Sequence, residues 1–223
     1  MVDIGANIGD TAAIIASETE NPLILVEPSS FYIKYLRANM ARIGRRHTIY
    51  DVLVSDEARE IRGELRHWGG TASLAEAVAG GQVFKSRRLE EIAPRDTCFV
   101  KIDTDGFDFR IIVAARDWWA ASMAGVLFES QVDTPGDLES AREAIRQMWD
   151  LGYRHWTVWD DPGHHVACLQ ELDAVIDLHR FLLSLQQRSL RCGVARGIYN
   201  FDVLALHDRD VDVFEQVCMR YRR

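Results

Sequence analysis

The chain has 223 residues, a formal net charge of −8 and a composition that is 48% hydrophobic. That length suits one domain with a full core that needs no staples, and the acidic balance argues against a nucleic-acid backbone as partner. No apolar run nears the ~20 residues of a membrane span, no basic leader is present, and the four cysteines are scattered without a C-x-x-C pair. A reduced, cytoplasmic protein with neither a zinc site nor a disulfide framework is expected.

Strands and helices alternate along the chain. "MVDIG" opens with a strand of which only Val2 to Ile4 are present, short of the about five residues a buried strand usually has, so the chain is expected to begin inside its domain. "NIGDTAAIIASE" has helical spacing, "PLILVEP" is a strand closed by proline, and "SSFYIKYLRANMARIG" is a helix ended by Gly44. The basic "RIGRRH" suits that helix's C-terminal, dipole-favoured end. "TIYDVLVSD" is predicted as the third strand, and the glycine-rich stretch 59–86 reads as an inserted hairpin plus loop.

Beyond it, "CFVKID" and "GVLFES" are strands flanking the helical "GFDFRIIVAARDWW", whose Trp118 and Trp119 suit core filling. "TPGDLESAREAIRQMWDLGY" is an amphipathic helix, with Thr134 or Asp137 near its start. "YRHWTVWD" alternates as a strand, a long helix is predicted near 168–190, and "GIYNFDVLALH" and "DVDVFEQVCMRYRR" end the chain as strand and helix.

The alternation predicts an α/β fold in a single domain over residues 1–223, with a mostly parallel sheet covered by helices on both faces. Ligands of such sheets bind beyond the carboxyl ends of the strands, where strand order reverses. Residues just after strands are therefore the site candidates. "VDIGANIGD" sets Gly5 and Gly9 between the first strand and the first helix, where glycine lets backbone approach a ligand and the helix offers free N–H groups. The spacing is not G-x-G-x-x-G, and no Walker lysine follows. Asp3 repels a pyrophosphate but binds an amino group, and Glu27, closing the second strand, suits the two hydroxyls of a ribose. A cofactor with a ribose, an ammonium and no pyrophosphate is S-adenosylmethionine.

The ordered set "VDIGANIGDT", "LILVEP", "VLVSDEA", "GGTASL", "RLEEI" and "FVKIDTDGFDFRII" resembles the FkbM family of S-adenosylmethionine-dependent methyltransferases, over roughly residues 2–130. The resemblance implies a Rossmann-like class I methyltransferase sheet of seven strands with a reversed C-terminal strand. It also implies that Asp3, Gly5, Asn7 and Gly9 hold the methionine end, Glu27 the ribose, and Ser55 with Asp56 the adenine side. Family members mostly methylate hydroxyl oxygens of sugars, polyketides and related metabolites. Past residue 131 the likeness is weak, and the long helix reads as a lid or a homodimer face.

"KIDTDGFDF" brings three acids around one glycine, but Gly106 is fourth from Asp103 and not sixth as in an EF-hand loop. It is the exit of the fourth strand. Methyl transfer needs an aligned and deprotonated acceptor, so a base is expected at a strand end. Asp103, Asp105 and Glu129 are the candidates, since carboxylates on neighbouring strand ends, about 4.8 Å apart, can converge on one oxygen or one Mg²⁺. The family's usual K-I-D-V-E-G-x-E is here shortened to aspartates at 105 and 108. His67 and Trp68, in the inserted segment, are candidate acceptor contacts. "WDDPGHHV" also follows a strand and reads as a solvated turn or a metal site.

The expected function is an O-methyltransferase acting on a small-molecule or glycan hydroxyl. Two alternatives stand beside it: a catalytically weak S-adenosylmethionine-binding module and an NAD-type oxidoreductase.

Overall fold

The computed structural model describes residues 1–68, 71–76, 81–104 and 106–221, with the side chains of residues 67, 68, 71 and 76 outside that description. In chain order the elements are β1 (Val2–Ile4), α1 (Asp10–Glu18), β2 (Leu23–Val26), α2 (Ile33–Ile43), β3 (His47–Tyr50), β4 (Leu53–Val54), β5 (Glu60–Trp68), β6 (Thr71–Glu76) and β7 (Gln82–Arg87). There follow β8 (Phe99–Ile102), α3 (Asp108–Ala114), α4 (Arg116–Ser122), β9 (Gly125–Gln131), α5 (Pro135–Asp150), β10 (Tyr153–Asp160), β11 (His165–Leu169), α6 (Leu172–Cys192), β12 (Asn200–His207) and α7 (Val211–Tyr221).

The main sheet runs β11-β10-β12-β9-β8-β1-β2-β3. Strands β1, β2, β3, β8 and β9 are mutually parallel, and β12 lies antiparallel between β9 and β10. Chain order departs in both directions from β1, with β2 on one side and β8 on the other. This is the switch point, and the crevice beyond the ends of β1 and β8 is where such a sheet receives a ligand.

Helices cover both faces. Leu23 and Leu25 of β2 pack with Ala12, Ala16, Leu36 and Met40 of α1 and α2, while Val2 and Ile4 join the larger core with α3 to α6. Successive strand residues point to opposite faces, so a strand buried on both sides reads as a continuous apolar run. Trp118 and Trp119 are buried there, their indole N–H groups donating to the carbonyls of Ala93 and Ile112. Thr134 caps α5, accepting from the amide of Asp137 with Pro135 in the first turn.

Four sequence expectations are corrected. The sheet has eight strands, not seven, among the described residues. The added strand is β11, which turns back on β10 through "DPGH", with Gly163 at φ +86° and its amide on the carbonyl of Asp160. Cys168 and Leu169, read as the opening of a helix, belong to β11, and the helix starts at Leu172. "TIYDVLVSD" is not one strand: β3 stays in the main sheet, whereas β4 pairs with β7 in a second sheet, β4-β7-β5-β6. Lastly, Cys168 and Cys218 are disulfide-bonded, tying β11 to α7, although they are 50 residues apart in sequence; Cys98 and Cys192 are free and exposed. No helix among the described residues is long and apolar enough to cross a membrane.

The tightest constraint at the switch point is Gly5, at φ +82°, where a Cβ would stand 1.8 Å from the carbonyl oxygen of Asp103. Gly44 also has a positive φ, +70°, but with open space around it. Gly44→Ala is expected to cost about 1 kcal/mol from backbone strain alone. Gly5→Ala, which must also push the exits of β1 and β8 away from each other, is expected to cost more than about 3 kcal/mol in urea unfolding. Equal losses would show that the contact at Gly5 does not constrain the fold.

Candidate active site

A cavity of about 320 Å³ opens at the switch point, lined by the β1–α1 turn, the ends of β2 and β8, the β3–β4 segment and one side of the β5–β6 hairpin. Gly5 and Asn7 are on its wall, with Asn7 at φ 50° and Gly9 at φ +86° completing the turn into α1. Gly9 packs under Leu36, since a Cβ there would meet that side chain at 2.7 Å. Glycine is required at Gly5 and Gly9 because both need a left-handed backbone and a close neighbour.

Glu27 is buried on the same wall, at 4% exposure. Its Oε2 accepts from the amide of Asn7 at 2.9 Å and its Oε1 from that of Ser29 at 2.7 Å. Burial raises its pKa, and the two amides pull it back. Each carboxylate oxygen accepts more than one hydrogen bond, so the amides fix the carboxylate while leaving lone pairs toward the cavity.

Asp103 follows β8 directly, and Glu129 lies in β9, the next strand. The structure brings both to this cavity. Glu129 Oε1 accepts from the side-chain amide of Asn200. Asp103 Oδ2 accepts from Lys101 Nζ at 2.7 Å.

Asp3 is not among the described residues that line the cavity; it lies beside Lys101 on the neighbouring strand, with its Oδ1 3.8 Å from Nζ. Burial pushes its carboxyl up to about 6, against the pull of the Lys101 charge. Lys101 itself is pushed down by burial, but the carboxylates of Asp3 and Asp103 outweigh that and hold it above its ordinary value.

Ser55 and Asp56 are not among the described residues that line this cavity. Ser55 is buried, and its hydroxyl donates to Asp56 Oδ1 at 2.6 Å. Arg110 also donates to that oxygen, at 2.9 Å. Burial raises the Asp56 pKa, but the Ser55 hydroxyl and the Arg110 guanidinium outweigh it and hold the group below its ordinary value. Asp56 lines a separate cavity with Phe109 and Arg110, while Val52, Leu53 and Val54 form the corresponding wall of the main cavity. His67 and Trp68 pair in register with Ala72 and Thr71, and their side chains lie outside the described residues, as does all of Asp105. In the turn after β10, His164 bonds Asp160, and Asp161 accepts from the amides of Tyr199 and Asn200.

Two features of the cavity are not among the sequence candidates. Lys101 is hidden inside the apolar run "CFVKI", where a lone lysine in a buried strand is itself the available signal. Leu65, Ala72 and Leu74, from the hairpin β5–β6, form an apolar side of the cavity; their period-2 spacing across the paired strands is legible, but their target is not.

Asp108, in the first turn of α3, is buried with Oδ2 accepting from the Thr104 hydroxyl at 2.7 Å, and it lines a second cavity that shares Glu129 with the first. Among the described residues its Oδ1 has no hydrogen-bond partner within normal geometry. Burial pushes its pKa up to about 6. Among the described residues no group of three or more His, Cys, Asp or Glu side chains is arranged to hold a metal ion.

A sheet ordered in this way, with a glycine turn after its first strand and a buried carboxylate closing its second, has the class I methyltransferase fold. Residues 3–155 match the family model of the methyltransferase FkbM domain, and the chain belongs to the FkbM methyltransferase family. Among solved structures it is similar to a methyltransferase FkbM from Methylobacillus flagellatus KT, at 17% identity and a TM-score of 0.46 over 58% of this chain; the match spans 32% of that protein. It is also similar to the StiE O-MT, at 11% identity and a TM-score of 0.48 over 99% of this chain and 73% of that one. A third similar structure is a precorrin-6y C5,15-methyltransferase from Geobacter metallireducens GS-15, at 14% identity and a TM-score of 0.45 over 93% of this chain and 79% of that one. No curated protein matches the chain.

The folded state keeps the Asp108 proton up to about pH 6, against an ordinary value of 3.8. The pH-dependent cost of burying this group is therefore absent below about pH 4, grows as pH rises toward 6, and levels off above. Asp108→Asn is expected to gain stability relative to the parent across that interval, on the order of 2–3 kcal/mol by pH 8. Urea unfolding at pH 4, 6 and 8 checks this, and a pH-independent difference would contradict it.

Proposed function

We propose that the protein is an S-adenosylmethionine-dependent O-methyltransferase whose acceptor is a hydroxyl of a sugar, a glycan or a related small metabolite. The observation that carries this reading is the charge of the cavity at the switch point. Its wall bears Asp10, Glu27, Asp103 and Glu129 against Lys101, the one cationic side chain among the described lining residues. A pyrophosphate would meet mostly carboxylates there, which weighs against a nicotinamide dinucleotide. A cofactor with an ammonium, a sulfonium and one carboxylate fits that balance. Glu27, fixed by two backbone amides, is suited to ribose hydroxyls, and the apolar wall of Val52, Leu53 and Val54 is suited to a flat base.

When bound, S-adenosylmethionine supplies an electrophilic methyl group. The protein's own role is positioning and proton removal. Asp103, just past β8, and Glu129, in the adjacent β9, both line the cavity, which supports a role for them in taking the proton of an acceptor hydroxyl as it becomes a nucleophile. Lys101 holds the Asp103 carboxylate in one orientation. Leu65, Ala72 and Leu74 cover the cavity from the small sheet and keep water from it.

Incubation with labelled S-adenosylmethionine and a panel of sugars and phenols, with and without Mg²⁺, tests this. Asp103→Asn is expected to lower transfer at least about 100-fold while leaving S-adenosylhomocysteine affinity, by calorimetry, within about threefold. Equal loss of both would make Asp103 a cofactor ligand. Tight NADH binding without S-adenosylhomocysteine binding would sink the proposal.

A further inference from the structure

Lys101 occupies a position that ordinarily rejects lysine. It is in the middle of β8, in register with Asp3 of β1 on one side and Leu127 of β9 on the other, and its side chain is only 14% exposed. Burying an ammonium there requires partners. Asp103 Oδ2, at 2.7 Å, takes one of its three N–H donors, while Asp3 Oδ1, at 3.8 Å, is an ionic neighbour beyond hydrogen-bond length. The ammonium thus reaches the cavity wall with donor capacity that these two carboxylates do not use.

The cofactor of the proposed reaction carries one anionic group, the methionine carboxylate. Among the described residues the charged lining consists otherwise of Asp10, Glu27, Asp103 and Glu129. The first turn of α1, another source of donors near the glycine turn, carries the Asp10 carboxylate, whose Oδ1 accepts from the amide of Thr11. An incoming carboxylate is repelled there and attracted at Lys101. Lys101 also adjoins Asp3 and the glycine turn, the end of the cavity suited to an amino acid.

We propose that Lys101 is the anchor of the methionine carboxylate, and that through it the site selects carboxylated over decarboxylated cofactor. Asp3, beside it, balances the charge and holds the ammonium toward the cavity. This rests on the proposed function above, and it adds a residue and a selectivity to it.

The test is calorimetric and needs no methyl acceptor. S-adenosylhomocysteine and its decarboxylated analogue, which keeps the amine, are titrated into the parent protein, Lys101→Met and Lys101→Arg. A charged hydrogen bond corresponds to about 10- to 100-fold in affinity. The parent is expected to prefer the carboxylated ligand by at least about 10-fold. Lys101→Met should remove that preference while changing the affinity of the analogue by less than about threefold, and Lys101→Arg should restore some of it.

A parent preference below about threefold overturns the proposal without recourse to any variant. So does an equal loss of both ligands in a Lys101→Met protein that is folded by circular dichroism, since that marks Lys101 as a support of the cavity alone. If the parent binds neither ligand, the methyltransferase reading fails and this inference with it; if it binds both equally well, only this inference fails.

Discussion

The contact on which the site depends is between backbone atoms. Gly5 leaves β1 at φ +82° against the carbonyl of Asp103, which leaves β8. A side chain at Gly5 would separate the two strand exits, and with them the glycine turn from the acid opposite. The same junction is tied by the Asp103 amide, which donates to the carbonyl of Ile4 at 3.0 Å. Everything the crevice contains is referred to this meeting of two strand ends, because the parallel sheet opens a cleft only where its order diverges.

Charge is the second organising feature. A sheet centre cannot hold an unpaired ammonium or a lone carboxylate, yet Asp3 and Lys101 face each other across β1 and β8. Each makes the other tolerable, and Asp103 completes the group from the strand end. Asp3 still carries a raised pKa, because Lys101 offsets only a fraction of its burial. Among the described residues the cavity wall is acidic with one cation, Lys101, set into it, a charge pattern that suits a ligand carrying both signs better than a polyanion.

The periphery is built around this centre. The small sheet β4-β7-β5-β6 brings leucines to the cavity wall, and Leu53, Ile61 and Phe84 form a core cluster of its own. At the far edge, β11 extends the main sheet and the Cys168–Cys218 bond joins it to the last helix. Strands β10, β12 and β9 stand between that edge and β8.

The sequence alone was sufficient for the alternating α/β order, for the glycine turn, and for Glu27 and Asp103 as strand-end acids, because each of these is a local pattern read against a general rule of parallel sheets. The FkbM motifs were legible for the same reason: they are contiguous stretches. What depended on distance in space was not. Lys101 is a single charged residue in an apolar run, and only the strand register pairs it with Asp3, far earlier in the chain. Asp56 followed a strand, as a ligand residue should, yet its partner is Arg110 on a helix that no spacing connects to it. Cys168 and Cys218 met only because β11 and the last helix share an edge. Side-chain pairing across a sheet depends on register and on which strands are neighbours, and those are properties of the folded chain; the residue types and their local order are what the sequence by itself determined.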